Sequence, residues 1–259
     1  MTTRTIERAA AALLEREDTR VDGEPLTDEW PDLDLATAYA IQDETLRLRE
    51  ARGETVIGVK LGLTSRAKQR RMNVNSPLTA WLTDAMVLPV GEPAPLEQFI
   101  HPRVEPEILF VLGRDLAGPG VTAATALHAV DLVMGAVEVI DSRYRDFRFS
   151  LPDVVADNAS SGAFVTGPVA RSAVGIDLAL EPGSLEVDGK VVDTATGAAV
   201  QGHPAQALAF AANDLGRRGH TLRAGWLVLT GGMTDAVPLQ KDTTVAADFG
   251  SLGRVVVGA

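Results

Sequence analysis

The run Pro102-Arg103-Val104-Glu105-Pro106-Glu107-Ile108-Leu109-Phe110-Val111-Leu112 changes character half-way: two carboxylates flank a proline, and five apolar residues then follow without a break. Such a short apolar run reads as a buried strand over 107–112. Extended backbone sends residues i and i+2 to one face, so Glu105 and Glu107 project the same way. Pro106 donates no N–H and so marks a strand start or an edge. Working outward, 56–62 and 134–140 have the same strand character. Residues 3–18 read as an amphipathic helix with Ile6, Ala10, Leu13 and Leu14 on one stripe. A second helix runs from a cap at Asp34 to about Gly53, with Leu35, Ala38, Tyr39 and Leu46 inward. Thr122 caps a helix reaching about 130, and 204–218 is helical and stops at Gly219. In the last third, 185–187 and 190–192 flank Asp188-Gly189, a two-residue hairpin signal. Strands at 226–230, 244–249 and 254–257 complete the set. Two helices followed by strands broken by single helices make an α+β chain, not an alternating βαβ one.

The 259 residues are 46% apolar and 23% charged, which excludes disorder and coiled coil. The absence of cysteine removes disulfides, thiolate metal sites and cysteine nucleophiles together. A net charge of −11 repels phosphate backbones, so no nucleic acid is expected as a partner. No apolar run approaches the roughly 18 residues of a membrane span. The first residues are too charged for a secretory segment, and a cytoplasmic location is expected.

Glu105 and Glu107 are like charges side by side, ahead of an apolar run where water is scarce. Glu138, in Gly135-Ala136-Val137-Glu138-Val139-Ile140, is a third carboxylate inside a buried-looking strand, and a lone charge there needs a partner or a metal. Three hard oxygen donors without cysteine or clustered histidine suit Mg²⁺ or Mn²⁺ better than zinc. On spacing alone, paired Glu on a strand are in most proteins a solvated face or salt-bridge partners of Lys and Arg. Lys60 lies in a strand between Gly58 and Gly62, where its ammonium either meets an anion or reaches the surface along its own stem. The segment 154–162 is small, polar and turn-forming, able to offer N–H groups and hydroxyls to an anion or simply to turn. Gly231-Gly232-Met233-Thr234-Asp235 follows a strand and permits close backbone approach. The histidines, at 101, 128, 203 and 220, have no zinc spacing, and His128 reads as structural. No phosphate-binding glycine loop or nucleophile elbow follows a strand.

Taken in order, several segments resemble the hydratase and decarboxylase branch of the fumarylacetoacetase-like superfamily. They are 58–65, His101-Pro102-Arg103-Val104-Glu105-Pro106-Glu107, Glu138-Val139-Ile140-Asp141-Ser142-Arg143-Tyr144, 155–161, Gly202-His203-Pro204 and 229–238. The resemblance implies a mixed β-roll or sandwich with flanking helices: an N-terminal helical part over 1–55 and a catalytic β-roll over 56–259. It also implies a homo-oligomer, and Glu105, Glu107 and Glu138 as ligands of Mg²⁺ or Mn²⁺. This branch acts on 2-hydroxypentadienoate and 4-oxalocrotonate in the meta-cleavage breakdown of aromatic compounds.

Within the branch, hydratases carry an Asp suited to proton transfer where this chain has Leu78, and show Ile and then Asp-Trp within the tract that here reads Asp141-Ser142-Arg143-Tyr144-Arg145-Asp146-Phe147-Arg148-Phe149. Both features resemble the decarboxylase version, which needs no base to begin. The expected reaction converts 2-oxo-3-hexenedioate (4-oxalocrotonate) into 2-hydroxypenta-2,4-dienoate and CO₂, with the metal stabilising the developing oxyanion. Lys60 and Ser160 are the expected catalytic residues, one placing a positive charge and the other a hydrogen bond at the 2-oxo acid end. The expected substrate-binding residues are Leu61, Leu78, Arg143, Asn158, Ser161, Gly232 and Thr234, with Arg143 and Arg145 candidates for the far carboxylate. The alternatives are a 2-hydroxypenta-2,4-dienoate hydratase, a non-catalytic subunit stabilising one, and a C–C hydrolase, for which no Glu–His pair is evident. Association with the pathway hydratase is a further expectation.

Overall fold

The computed structural model describes residues 4–71, 74 and 76–259. Helices α1 (Ile6–Thr19), α2 (Leu26–Glu29) and α3 (Leu35–Ala51) come first, followed by β1 (Val56–Gly62), α4 (Arg66–Arg71) and β2 (Leu78–Thr83). Then come β3 (Arg103–Leu112), α5 (Ala123–Leu127), β4 (Val130–Ile140), α6 (Leu151–Ala156) and β5 (Ser161–Arg171). The last part holds β6 (Pro182–Val187), β7 (Lys190–Thr196), α7 (Pro204–Arg217), β8 (Leu227–Leu229), β9 (Val237–Pro238), β10 (Thr244–Phe249) and β11 (Gly253–Gly258).

Seven strands form one sheet in the order β2-β1-β8-β3-β4-β5, with β9 pairing the first residues of β3. Every pair is antiparallel except β1 with β8. That pair runs close: a Cβ on Gly58 would stand 2.0 Å from the Leu227 carbonyl oxygen, which excludes any larger residue there. A four-stranded antiparallel sheet, β11-β10-β6-β7, packs β10 and β11 over β4 and β5. The expected α+β roll is therefore the fold.

Alternation along the strands sorts the two faces. Val104, Ile108 and Phe110 of β3, Val137 and Val139 of β4, and Val59 and Leu61 of β1 enter one large core with Phe249 and α7. The opposite face of the same strands carries Glu105, Glu107, Glu138 and Lys60, and closes further along on Leu109, Ala136 and Ile57. A separate core seats α1 and α3 on β2 and α6 through Ala10, Leu13, Ile41, Leu78, Val155 and Tyr144. Hydrophobic burial drives all three clusters, and the polar strip lies where the cores leave a gap.

Local signals act as expected at several points. Asp188 and Gly189 both have positive φ (49° and 76°) in the β6–β7 turn. The Asp34 carboxylate accepts the Thr37 N–H at 2.7 Å, and the Thr122–Thr125 pair forms a capping box. His203 Nδ1 accepts the Ala205 N–H at 3.0 Å, so Gly202-His203-Pro204 is the start signal of α7.

Other expectations are corrected. Helix α1 begins at Ile6 behind its Thr5 cap; Ala9 is buried and Ile6 only partly, while residue 3 lies outside the described residues. On α3, Leu35 is 40% exposed because the first turn overhangs the core, whereas Ile41 and Gln42 face inward. Gln42 Nε2 donates to the Thr79 and Val155 carbonyls, which makes its burial tolerable. The strand expected over 107–112 starts at Arg103, and β4 starts at Val130, ending α5 at Leu127. Pro106 sits in a central strand, not an edge. Its carbonyl accepts the Met233 N–H at 2.9 Å, so its N–H-less side faces the gap between β8 and β9, where no ladder bond is lost. The segment 154–162 is not an open loop: it is the end of α6, a tight left-handed turn and the start of β5, all but Gly162 buried.

Candidate metal and substrate site

Adjacent strands set the site. In the β3–β4 register Glu105 lies directly opposite Glu138, and Glu107 follows two residues along the same face. Glu107 and Glu138 are wholly buried, Glu105 nearly so, and one oxygen of each lies within 4.8 Å of the others. Gly231 N–H donates to Glu107 Oε2 at 2.7 Å. Among the described residues Glu107 Oε1 and both Glu138 oxygens have no hydrogen-bond partner, a costly condition for buried acceptors. An oxygen-only set with inward-facing orphaned acceptors fits a hard divalent cation such as Mg²⁺ or Mn²⁺.

Two ammonium groups border the three carboxylates. Lys60 Nζ stands 3.1 Å from Glu138 Oε1, off the line of a hydrogen bond, and donates to the Ala159 carbonyl at 2.9 Å. Two strands separate β1 from β4, which in a flat sheet would put their backbones about 14 Å apart. The contact between the side-chain tips therefore reports how far the sheet wraps around this face. Lys68, on α4, meets Glu105 Oε2 at 2.7 Å. Glu105 is confined from behind by Gly232, where a Cβ would stand 2.1 Å from Oε2. Burial works against the Lys68 ammonium, yet the neighbouring Glu105 carboxylate outweighs it and raises its pKa.

Burial, and then the charges of Glu138 and Glu105, push the Glu107 pKa well above the ordinary 4.5. Burial likewise raises Glu138, against the pull of Lys60. With folded-state values above unfolded ones, the folded metal-free protein keeps protons that the unfolded chain has shed. Its stability should thus fall as pH rises from 4.5 through the raised values. A divalent cation displaces those protons, so its affinity should rise with pH over the same window and binding should release protons. Melting curves from pH 4.5 to 8 with chelator, and again with Mg²⁺, should diverge as pH increases; parallel curves would contradict this linkage.

A cavity of about 360 Å³ opens on this face. Its polar lining is Lys60, Lys68, Arg103, Glu105, Ser160 and Asp235, and its apolar wall includes Leu63, Leu78, Phe147, Phe149 and Val154. Leu78 and Ser160 are among the residues that line it. The Ser160 hydroxyl donates to Asp157 Oδ2 at 3.2 Å.

The remaining expected substrate residues are not in the lining of this cavity. Leu61 alternates away from Lys60 into the main core. Asn158 is committed to β2, accepting the Trp81 N–H and donating to the Trp81 carbonyl. The Ser161 hydroxyl faces Met86 Sδ at 3.8 Å. Gly232 and Thr234 border an adjoining depression on the other side of Lys68. Arg143 is buried, with Nε on Asp157 Oδ1 at 2.5 Å, Nη1 on the Asp141 and Ser161 carbonyls and Nη2 on the Asp157 carbonyl, so four of its five N–H donors are engaged within the fold. Arg145 is exposed and pairs with Glu24.

Arg143 instead braces a strained turn. Asn158, Ala159 and Ser160 all have φ near +50°, an unfavourable run for residues with a Cβ. Asp157 anchors it from below and is held by Arg143 through both side chain and carbonyl. The turn aims the Ala159 carbonyl at Lys60 and brings Ser160 to the cavity. Sequence reasoning missed the brace, and it missed Lys68 and Arg103 as cavity residues. The segment carrying Arg103 was in view, but no periodicity distinguishes a cation at a cavity from one in solvent.

Residues 55–257 match the family model described as fumarylacetoacetate (FAA) hydrolase C-terminal. A 4-oxalocrotonate decarboxylase of Pseudomonas sp. (strain CF600) is 43% identical over 230 residues, 89% of this chain and 87% of that protein. A 2-hydroxyhexa-2,4-dienoate hydratase of Comamonas testosteroni is also 43% identical, over 84% or less of either chain (83% and 82%). The solved 4-oxalocrotonate decarboxylase from Pseudomonas putida G7, complexed with magnesium and adipate, superposes with a TM-score of 0.96 at 38% identity, covering 100% of this chain and 98% of that one.

Proposed function

Since this chain belongs to the fumarylacetoacetate (FAA) hydrolase family, we propose that its cavity converts 2-oxo-3-hexenedioate into 2-hydroxypenta-2,4-dienoate and CO₂, as a metal-dependent carboxy-lyase. Decarboxylase and hydratase relatives are equally similar in sequence, so identity alone does not choose between them. The observation that carries the choice is the apolar far wall. Leu78 is 2% exposed and lines the cavity beside Phe149 and Val154, at the place where water addition to carbon calls for an acid or base.

Glu105, Glu107 and Glu138 would hold Mg²⁺ or Mn²⁺, a reading supported by the magnesium complex of the solved relative. Bound there, the ion supplies Lewis-acid stabilisation of the oxyanion. The C5–C6 bond breaks, CO₂ leaves, and the electron pair passes through C4 and C3 to the C2 oxygen, which then takes a proton. Lys60, fixed by Glu138 and the Ala159 carbonyl, keeps a positive charge and a proton beside that oxygen. Ser160, aimed by the left-handed turn, carries to the same end a hydroxyl that would turn from Asp157 Oδ2 to donate to the substrate. The apolar wall excludes water from the carboxylate that must shed its charge.

On this reading 56–259 form the catalytic part and 1–55 a helical annex, a boundary supported by the family match over 55–257. The same reading includes a homo-oligomer working in the cytoplasm beside the hydratase that takes its product; exposed Val191 and Val192 on edge strand β7 support self-association. Among the described residues no helix is long and apolar enough to cross a membrane.

The test is CO₂ release from 2-oxo-3-hexenedioate by the purified protein. Release should stop with chelator and return with Mg²⁺. Loss of dienol absorbance without CO₂, when 2-hydroxypenta-2,4-dienoate is supplied, would favour the hydratase instead.

A further inference from the structure

Among the described residues three cations line the cavity, and two are already committed: Lys60 to Glu138 and the Ala159 carbonyl, Lys68 to Glu105. Arg103 differs. Its guanidinium lies 4.2 Å from the centroid of the Phe147 ring, and it makes no ion pair or side-chain hydrogen bond among the described residues. Phe147 is held for this contact, with His101 4.8 Å away on its ring and a left-handed backbone at both Asp146 and Phe147 (φ 55° and 56°). Strain of that kind persists only where the surroundings enforce it.

We infer that Arg103 reads the far carboxylate of the substrate and makes the site select dicarboxylates over monocarboxylates. This rests on the decarboxylase reading and deepens it. Arg103, Glu105 and Glu107 share one face of β3, so Arg103 stands about 6.8 Å along the strand from the first metal-site carboxylate. An extended six-carbon diacid spans roughly 6.5 Å over five carbon–carbon bonds. A head group at the triad therefore delivers its tail to Arg103. The planar guanidinium offers a two-pronged match to a carboxylate, and stacking on Phe147 fixes its orientation beforehand. The anchor also lines up the C5–C6 bond with the conjugated system, while its charge resists conversion of the carboxylate to neutral CO₂. Arg103 should therefore govern capture more than turnover.

The test compares 2-oxoadipate with 2-oxohexanoate, which share a head group and length and differ only in the far carboxylate. Calorimetry on the Mg²⁺-loaded protein should show 2-oxoadipate favoured by about 10- to 100-fold, the range of a charge-assisted hydrogen-bonded pair. Arg103→Gln should collapse that ratio towards one by weakening 2-oxoadipate alone, and Arg103→Lys should restore part of it. With 2-oxo-3-hexenedioate, Arg103→Gln should raise KM at least tenfold and change kcat less than threefold. Equal weakening of both ligands, an unchanged ratio, or a kcat loss at constant KM would overturn the assignment. So would a wild-type protein that binds both ligands alike, which leaves the decarboxylase reading standing. Failure of wild-type protein to bind either ligand would instead remove that reading and this one with it. Should Arg103→Gln not fold, the ratio in Arg103→Lys decides.

Discussion

Glu107→Gln should abolish Mg²⁺ binding and reduce CO₂ release by about a thousandfold or more, while the metal-free protein melts at a higher temperature. The two effects have one cause. Glu107 is wholly buried, and its pKa is raised first by that burial and then by Glu138 and Glu105. Its carboxylate is a burden on the fold that only a cation relieves. The amide keeps the shape and can still accept from Gly231 N–H, the one hydrogen bond of the Glu107 side chain among the described residues. It removes one charge from a crowded set, a change worth roughly 0.5–2 kcal/mol of stability. The same change removes a hard anionic donor, and loss of several kcal/mol of oxyanion stabilisation corresponds to at least the stated loss of rate. Calorimetric Mg²⁺ titration, a CO₂ assay and melting curves in chelator test it together. Retained Mg²⁺ affinity, or a metal-free variant less stable than wild type, would contradict the account.

Arg143→Ala should be among the most damaging single changes available. The guanidinium and Asp157 form a buried ion pair, and burial already raises the Asp157 pKa against the opposing pull of Arg143. Removing the arginine leaves a carboxylate without its counter-charge and two carbonyls, of Asp141 and Ser161, without their donor. Breaking such a pair costs roughly 3–5 kcal/mol. For a chain of this size that lowers the melting temperature by on the order of 10 °C. Activity should fall too, because the turn carrying Ala159 and Ser160 loses its anchor and Lys60 its fixed acceptor. Combining Arg143→Met with Asp157→Leu should recover stability relative to Arg143→Ala, but not activity. If Arg143→Ala keeps its melting temperature and loses only substrate affinity, Arg143 binds ligand after all.

These two residues also mark how far the sequence was legible. Glu105, Glu107 and Glu138 could be read because strand alternation fixes their face whatever the tertiary context, and three buried-looking carboxylates ask for an explanation. The Asp188-Gly189 hairpin and the caps at Asp34 and Thr122 were legible because their chemistry is local. Strand β2 was not: Leu78–Thr83 is buried at every position, so the alternation that announces a half-exposed strand is missing. Strand β5 hides behind its Gly162, Gly167 and Pro168, and α4, Arg66–Arg71, has no apolar stripe to betray a helix. The roles of Arg143 and Arg103 depend on partners 14 and 44 residues away, Asp157 and Phe147. Charge alone gave them the same appearance, and packing assigned one to the interior and the other to the cavity.

The parallel pairing of β1 with β8 governs the order in which the molecule comes into being. β8 lies between β1 and β3, so Lys60 is brought within reach of Glu138 on β4 only when residues 227–229 join β1 to β3. During synthesis the helices and the β3–β4 pair can form early, but the wrapped sheet must wait until nearly nine-tenths of the chain has left the ribosome. Closing so long a loop is slow. The three carboxylates thus come together with the β3–β4 pair, and Lys60 is the last charged group to join them, when β8 seats β1 against β3.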